Sequence, residues 1–259
     1  MKVLKFGGTS VGSAQRMKEV AALIADGQQK IVVLSAMSGT TNTLVEIADY
    51  LYKKNPVSAN EVINQLEKKY AAVIDELYST DNFKAQATAC VKQNFELLRN
   101  FTKQNVFLLF DEKIILAQGE LMSTAMVNLY LQEIGRKSVL LPALDYMRID
   151  KNNEPDAAYI REHLTKELAK LPADTEIYIT QGFICRNAYN EIDNLQRGGS
   201  DYTASLVGAA VKASEIQIWT DIDGMHNNDP RFVENTKPVA KLHFEEAAEL
   251  AYFGAKSLH

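Results

Sequence analysis

Lys5 closes a short apolar run and is followed after Phe6 by two glycines and two hydroxyls, Gly7-Gly8-Thr9-Ser10. Glycines let backbone N–H groups approach an anion closely. A lysine ending a strand beside such a turn suits a phosphoryl group held at the carboxyl edge of a sheet. The order is not that of a Walker loop, in which Gly-Lys-Ser/Thr follows the glycine-rich stretch. A tight turn with a solvated lysine has the same spacing, so this motif alone leaves both readings open.

The most informative stretch is Gln196-Arg197-Gly198-Gly199-Ser200-Asp201-Tyr202-Thr203, before the apolar helical run Ala204 to Val211. Arg197 offers a planar fork for a carboxylate or phosphate, the glycines allow close approach, and Asp201 sits at a helix start. A turn with a capping aspartate accounts for Asp201 but not for an arginine beside two glycines, which favours binding. Three further segments carry polar groups at plausible ligand positions. Ser35-Ala36-Met37-Ser38-Gly39-Thr40-Thr41-Asn42 follows a strand, although any loop has that composition. Gly119-Glu120-Leu121-Met122-Ser123 reads as a helix start, where Glu120 either complements the helix dipole or binds an ammonium. Trp219-Thr220-Asp221-Ile222-Asp223-Gly224, with Asn228-Asp229-Pro230-Arg231, leaves the last clear strand as a polar loop suited to a nucleotide. Phe253-Gly254-Ala255-Lys256 falls within a helical pattern that begins near Glu245. The four histidines, His163, His226, His243 and His259, show no metal-ligand spacing, and no metal-binding residue is assigned.

These segments are positioned by alternating strands and helices. Short β-branched runs occur at Val3 to Phe6, Ile31 to Leu34, Ser138 to Leu141, Ile177 to Thr180 and Ile216 to Trp219. Several are almost wholly apolar, as expected of parallel strands covered on both faces. Helical patterns such as Ala14 to Ala25 and Met122 to Ile134 lie between them, predicting an α/β fold with a mainly parallel sheet. From Ser58 to about Leu98 the pattern is purely helical, opened by the capping box Ser58-Ala59-Asn60-Glu61 and striped by Val62, Leu66, Tyr70, Val73 and Leu77. This predicts a helical hairpin inserted between sheet elements, with a structural role. No linker marks a domain boundary.

Composition narrows the class of function. The chain has 259 residues, 46% hydrophobic and 24% charged, an ordinary globular balance. With 28 basic and 33 acidic residues the net charge is −5, unsuited to nucleic acid or an anionic membrane. No apolar run approaches the ~20 residues of a membrane span, and the N-terminus turns polar too soon for a signal peptide. Cys90 and Cys185, far apart, suggest a reduced cytoplasmic protein, in which the sequon Asn100-Phe101-Thr102 would be accidental.

Taken together and in this order, the motifs resemble the catalytic domain of the aspartate kinases, within the amino-acid kinase family, over essentially the whole chain. The most specific are Lys5-Phe6-Gly7-Gly8-Thr9-Ser10-Val11, Arg197 to Thr203 and Phe253-Gly254-Ala255-Lys256. The resemblance implies a three-layer αβα sandwich around a mainly parallel sheet. It implies an aspartate-binding part to about residue 175, with the insertion at about 58–98, and an ATP-binding part over about 176–259. It implies phosphorylation of the β-carboxylate of L-aspartate by ATP with Mg²⁺, giving 4-phospho-L-aspartate, the first step toward lysine, threonine and methionine. Carried over by position, Lys5, Asp201 and Lys256 are the catalytic set, and Ser35, Thr41, Glu120 and Arg197 surround aspartate. Lys5, Gly7, Gly8, Ser10, Thr220, Asp221, His226, Arg231 and Lys256 contact ATP. A homodimer in the cytoplasm is also implied.

Two features depart from that family. His226 stands where a tyrosine is frequent, and the chain stops at His259, where relatives continue through His-Pro into paired ACT regulatory domains. The chain is therefore expected to be a catalytic piece of a longer enzyme, insensitive to lysine and threonine, with Lys256 frayed in the absence of nucleotide. Another amino-acid kinase, such as a glutamate 5-kinase, and a ligand-binding regulator without activity are the alternative readings.

Overall fold

The β-branched runs form one sheet. The structure is a computed structural model that describes residues 1–196, 198–220, 224–229 and 232–252. In chain order its elements are β1 (Lys2–Phe6), α1 (Ala14–Ile24), β2 (Lys30–Leu34), α2 (Thr40–Tyr52), α3 (Pro56–Leu77), α4 (Asp81–Phe101) and α5 (Leu109–Glu133). There follow β3 (Ser138–Leu140), α6 (Ala157–Lys170), β4 (Ile177–Gln181), β5 (Ile184–Arg186), β6 (Ile192–Asn194), α7 (Gly199–Ala210), β7 (Glu215–Trp219) and α8 (Phe244–Tyr252). Five strands form a sheet of order β3-β4-β2-β1-β7, and every pairing in it is parallel. β5 and β6 form a separate antiparallel hairpin.

All residues of β2 and β4 are buried, the polar Lys30, Thr180 and Gln181 at their ends included, as expected of central strands covered on both faces. Alternate residues of a strand face opposite ways, so each run feeds two cores. Leu4, Phe6, Val32, Leu34, Ile177 and Ile179 pack with Met17 and Ile24 of α1 and with the helices α2 to α5. Val3, Ile31, Val33 and Tyr178 face the other way, toward Ile160 and Leu164 of α6 and Ala204 and Val207 of α7. The result is the expected three-layer αβα sandwich. Lys5 shares the parity of Val3 and so projects toward the α7 side.

The helical insertion differs in its boundaries. α3 begins at Pro56, not Ser58, because Asn55 caps it: Asn55 Oδ1 accepts from Ser58 N at 3.2 Å, and proline at the first position lacks only an N–H that would have no helical partner. The stripe falls inward as expected, with Leu66, Tyr70, Val73 and Leu77 buried.

α5 departs further from expectation. It starts at Leu109, so Gly119 and Glu120 lie in mid-helix and the helix-dipole role read for Glu120 does not apply. Gly119 is needed for contact instead: a Cβ there would fall 2.8 Å from Ala36 Cβ and 3.3 Å from Thr40 Cγ2. α5 is also long and apolar enough to cross a membrane by those criteria alone, yet 67% of the apolar window is buried within the protein, as in a central core helix.

Candidate active site

Four parallel strands end at one edge, and the segments leaving β1, β2, β4 and β7 there carry most of the residues singled out in the sequence. The first two segments interlock. Ser35 N donates to Phe6 O at 3.2 Å and Ser38 N to Gly8 O at 3.1 Å. A Cβ on Gly8 would lie 2.8 Å from the Ala36 carbonyl oxygen, so glycine allows the contact between the two turns. After Gly8, Thr9–Val11 form a single 3₁₀ turn closed by Ser10 N donating to Gly7 O at 3.0 Å.

Lys5 meets α7 across this edge. Its Nζ lies 2.7 Å from Asp201 Oδ1, in the first turn of α7. Gly198 enters that helix in the left-handed region at φ +81°, which glycine adopts without strain. The pair is mostly buried, so each charge depends on the other for compensation. A cavity of about 540 Å³ borders the same turn, with Asp201, Gly198, Gly199, Tyr202 and Lys113 in its wall. Lys5, Gly7, Gly8, Ser35 and Glu120 do not line it.

Glu120 approaches from α5. Its Oε1 accepts the Ala36 backbone N–H at 3.1 Å, while its Oε2 is buried with no hydrogen-bond partner among the described residues. Burial disfavours the anion, and the carboxyl is pushed up to about 8. Ser123, one turn on, donates to Ser35 O at 2.8 Å and completes the bracing of the segment after β2 by α5. Ser35 Oγ in turn donates to Ser200 Oγ at 2.9 Å, joining that segment to α7.

Phe183 was not singled out in the sequence, yet it occupies the turn after β4 with φ +68°, a strained value for a bulky side chain. Its N–H donates to Thr203 Oγ1 at 3.1 Å and its carbonyl accepts from Leu195 N at 2.7 Å. The preceding Gly182 lies so close to α7 that a Cβ would sit 2.5 Å from Ser200 Oγ. Such crowding holds α7 against the strand edge. The sequence signal was a glycine directly after an apolar strand, in Gln181-Gly182-Phe183.

The structure thus brings together Lys5, Gly7, Gly8, Ser10, Ser35, Glu120 and Asp201. Thr41 lies in the first turn of α2, and Thr220 directly follows β7. His226 is buried, and its Nδ1 lies 3.0 Å from Thr236 Oγ1, a contact inside its own loop. Arg197, Asp221, Arg231 and Lys256, with the rest of the Phe253 to Lys256 segment, lie outside the described residues. Both cysteines are free thiols, and burial pushes Cys185 up to about 12, far from a reactive thiolate.

Comparison with known proteins accords with this geometry. The family model described as "Amino acid kinase family" matches residues 1–259. The chain belongs to the amino acid kinase family. Among curated relatives, lysine-sensitive aspartokinase 3 of Escherichia coli is 34% identical over 99% of this chain and 57% of its own length. The aspartokinase of Chlamydia trachomatis is also 34% identical, again over 99% of this chain and 57% of the relative. The crystal structure of E. coli aspartokinase III in complex with aspartate and ADP superposes with a TM-score of 0.86 at 33% identity, covering 100% of this chain and 57% of that one. The same enzyme in complex with lysine and aspartate gives a TM-score of 0.84. The chain therefore spans a little over half the length of the relatives it matches.

Proposed function

We propose that this member of the family transfers the γ-phosphoryl group of ATP to the β-carboxylate of L-aspartate, giving 4-phospho-L-aspartate and ADP. The observation that carries the reading is Glu120, a buried carboxylate whose Oε2 has no partner among the described residues and which sits beside the segment after β2. An amino acid's ammonium would supply the missing partner. Arg197 then takes the α-carboxylate as a fork, and Ser35 and Thr41 complete the aspartate contacts. The relatives' names, and the aspartate and ADP bound by E. coli aspartokinase III, support the same assignment.

The reaction joins an anion to a polyanion. A β-carboxylate oxygen attacks the γ-phosphorus and the bond from that phosphorus to the β–γ bridging oxygen breaks, its electron pair leaving with ADP. The acceptor has a solution pKa near ~3.9 and is already ionised, so no general base is required. Catalysis is then positioning and charge neutralisation. Lys5 and Lys256 neutralise the phosphate oxygens from two sides, and Asp201 orients Lys5. Gly7, Gly8 and Ser10 present backbone and hydroxyl donors to the phosphates, while Thr220, Asp221, His226 and Arg231 form the nucleotide side of the site. Mg²⁺ would be held mainly by the ATP phosphates, a mode that requires no cage of protein ligands. The ion supplies further neutralisation of phosphate charge.

On this reading residues to about 175 hold aspartate, and Arg197 joins them from the ATP-binding part. The test is hydroxylamine trapping of the acyl phosphate. Hydroxamate is expected only with both ATP and aspartate, and glutamate, one methylene longer, is expected to react about tenfold or more less efficiently. Faster reaction with glutamate, or no aspartate-dependent product, defeats the assignment.

A further inference from the structure

We propose that Lys69 and Tyr70, adjacent on α3, are positioning residues for the substrate segment that links β2 to α2. The inference rests on the function proposed above and gives the helical insertion a part in it. The segment from Ser35 to Gly39 is short and is gripped on its inner sides by β1, the Gly7-Gly8 turn and α5. Its outer side, at Ser38 and Gly39, is exposed. There Lys69 Nζ donates to the Ser38 carbonyl at 2.6 Å, an ammonium-to-carbonyl bond from another helix. Gly39 turns with φ +80°, and a Cβ on it would lie 3.6 Å from that ammonium, so the lysine lies directly over the turn.

Tyr70 acts one residue further along. Its hydroxyl lies 3.1 Å from Thr40 Oγ1, and both residues have no exposed surface. The tyrosine ring is itself fixed edge-on against Phe95 of α4, with centroids 5.7 Å apart. A buried hydroxyl pair of this kind costs free energy if either member is left alone, so it specifies one placement of Thr40 against α3. Thr40 immediately precedes Thr41. The insertion thereby fixes both ends of the turn that presents the expected aspartate contacts, and a displacement of about 1 Å there is enough to cost catalysis about a hundredfold.

The test compares wild type with Lys69→Met, Lys69→Arg and Tyr70→Phe by amide hydrogen exchange without ligands, by thermal melting and by steady-state kinetics. Lys69 is exposed, so Lys69→Met is expected to melt close to wild type while exchange across residues 38–40 quickens several-fold. The KM for aspartate should rise about tenfold, the worth of one charged hydrogen bond, with the KM for ATP unchanged. Lys69→Arg should restore both, and Tyr70→Phe should reproduce the exchange change. Unchanged exchange in Lys69→Met, or faster exchange with an unaltered KM for aspartate in an active chain, overturns the proposal. If wild type shows no aspartate-dependent turnover, the assigned reaction fails, and the exchange comparison still decides whether α3 holds the turn.

Discussion

Lys5 Nζ lies 2.7 Å from Asp201 Oδ1, with only 12% and 9% of the two side chains exposed. On the proposed reaction this lysine from the first strand and aspartate from a late helix meet beside the phosphates, where an unpaired carboxylate would repel the nucleotide. The pairing suits a group that aims the ammonium, not one that removes a proton. Asp201→Asn is expected to lower kcat by about a hundredfold or more, since charge placement dominates phosphoryl transfer. The pH–rate profile between pH 6 and 9 should keep its shape. A limb present in wild type and lost in the variant would show a base at work.

Glu120 gives the chain a pH-dependent stability. With its carboxyl pushed up to about 8, the folded state keeps a proton that the unfolded chain has already released above about pH 4.5. Stability from this group is therefore greatest at the acid end, declines as pH rises through that window, and levels off above about 8. At ~1.4 kcal/mol per pH unit the change amounts to several kcal/mol. Glu120→Gln should flatten the decline and unfold later than wild type in urea at pH 9. An equal slope in both proteins would remove Glu120 as the source.

The same carboxyl couples substrate binding to protons. An ammonium docked on Oε2 favours the anion, so aspartate binding at pH 7 should release a proton and tighten as pH rises toward 8. Calorimetry in buffers of different ionisation enthalpy reads the proton directly. Glu120→Ala should raise the KM for aspartate much more than that for ATP. Equal effects on both substrates would leave Glu120 with no role in reading the amine.

Gly119 separates helix preference from packing. Alanine is intrinsically favoured over glycine in a helix by about 1 kcal/mol, so propensity alone predicts a more stable Gly119→Ala. The new Cβ would stand 2.8 Å from Ala36 Cβ, an atom fixed to backbone that no rotamer can move. The substitution is expected to destabilise by about 1–3 kcal/mol in urea titration and to raise the KM for aspartate by shifting the Ser35 segment. A stabilised variant with unchanged KM would contradict the close contact.

The five strands of the main sheet were legible because each is a compact, largely apolar run, and covered parallel strands need no alternation to be recognised. The first half of α5 was not, because its exposed start at Leu109 and Phe110 is apolar, the stretch from Ile115 to Glu120 is buried without a polar stripe, and its one glycine resembles a boundary. β5 and β6 have three residues each, too few to display a period. At the site, Lys5 and Asp201 could be found from their neighbouring glycines, although nothing in either motif says that they pair. Tyr70 was read as part of an apolar stripe, which it is. That its hydroxyl would reach Thr40 depends on how α3 crosses α2, a property of the assembled layers.

β1 lies between β2 and β7, with Lys2 opposite both Lys30 and Glu215. Consequently the strand bearing Lys5 is translated before β2, but it gains its second neighbour only when β7, about two hundred residues further along, has been made. A nascent chain can zip β1 to β2 early, yet Lys5 has no Asp201 to meet until α7 has emerged. On the proposed function, competence to handle a phosphate waits on α7, and a product terminated before α7 would hold Lys5 without its aspartate. The same order leaves one flank of β1 open during synthesis, a parallel edge whose closure waits on a distant sequence partner and is correspondingly slow.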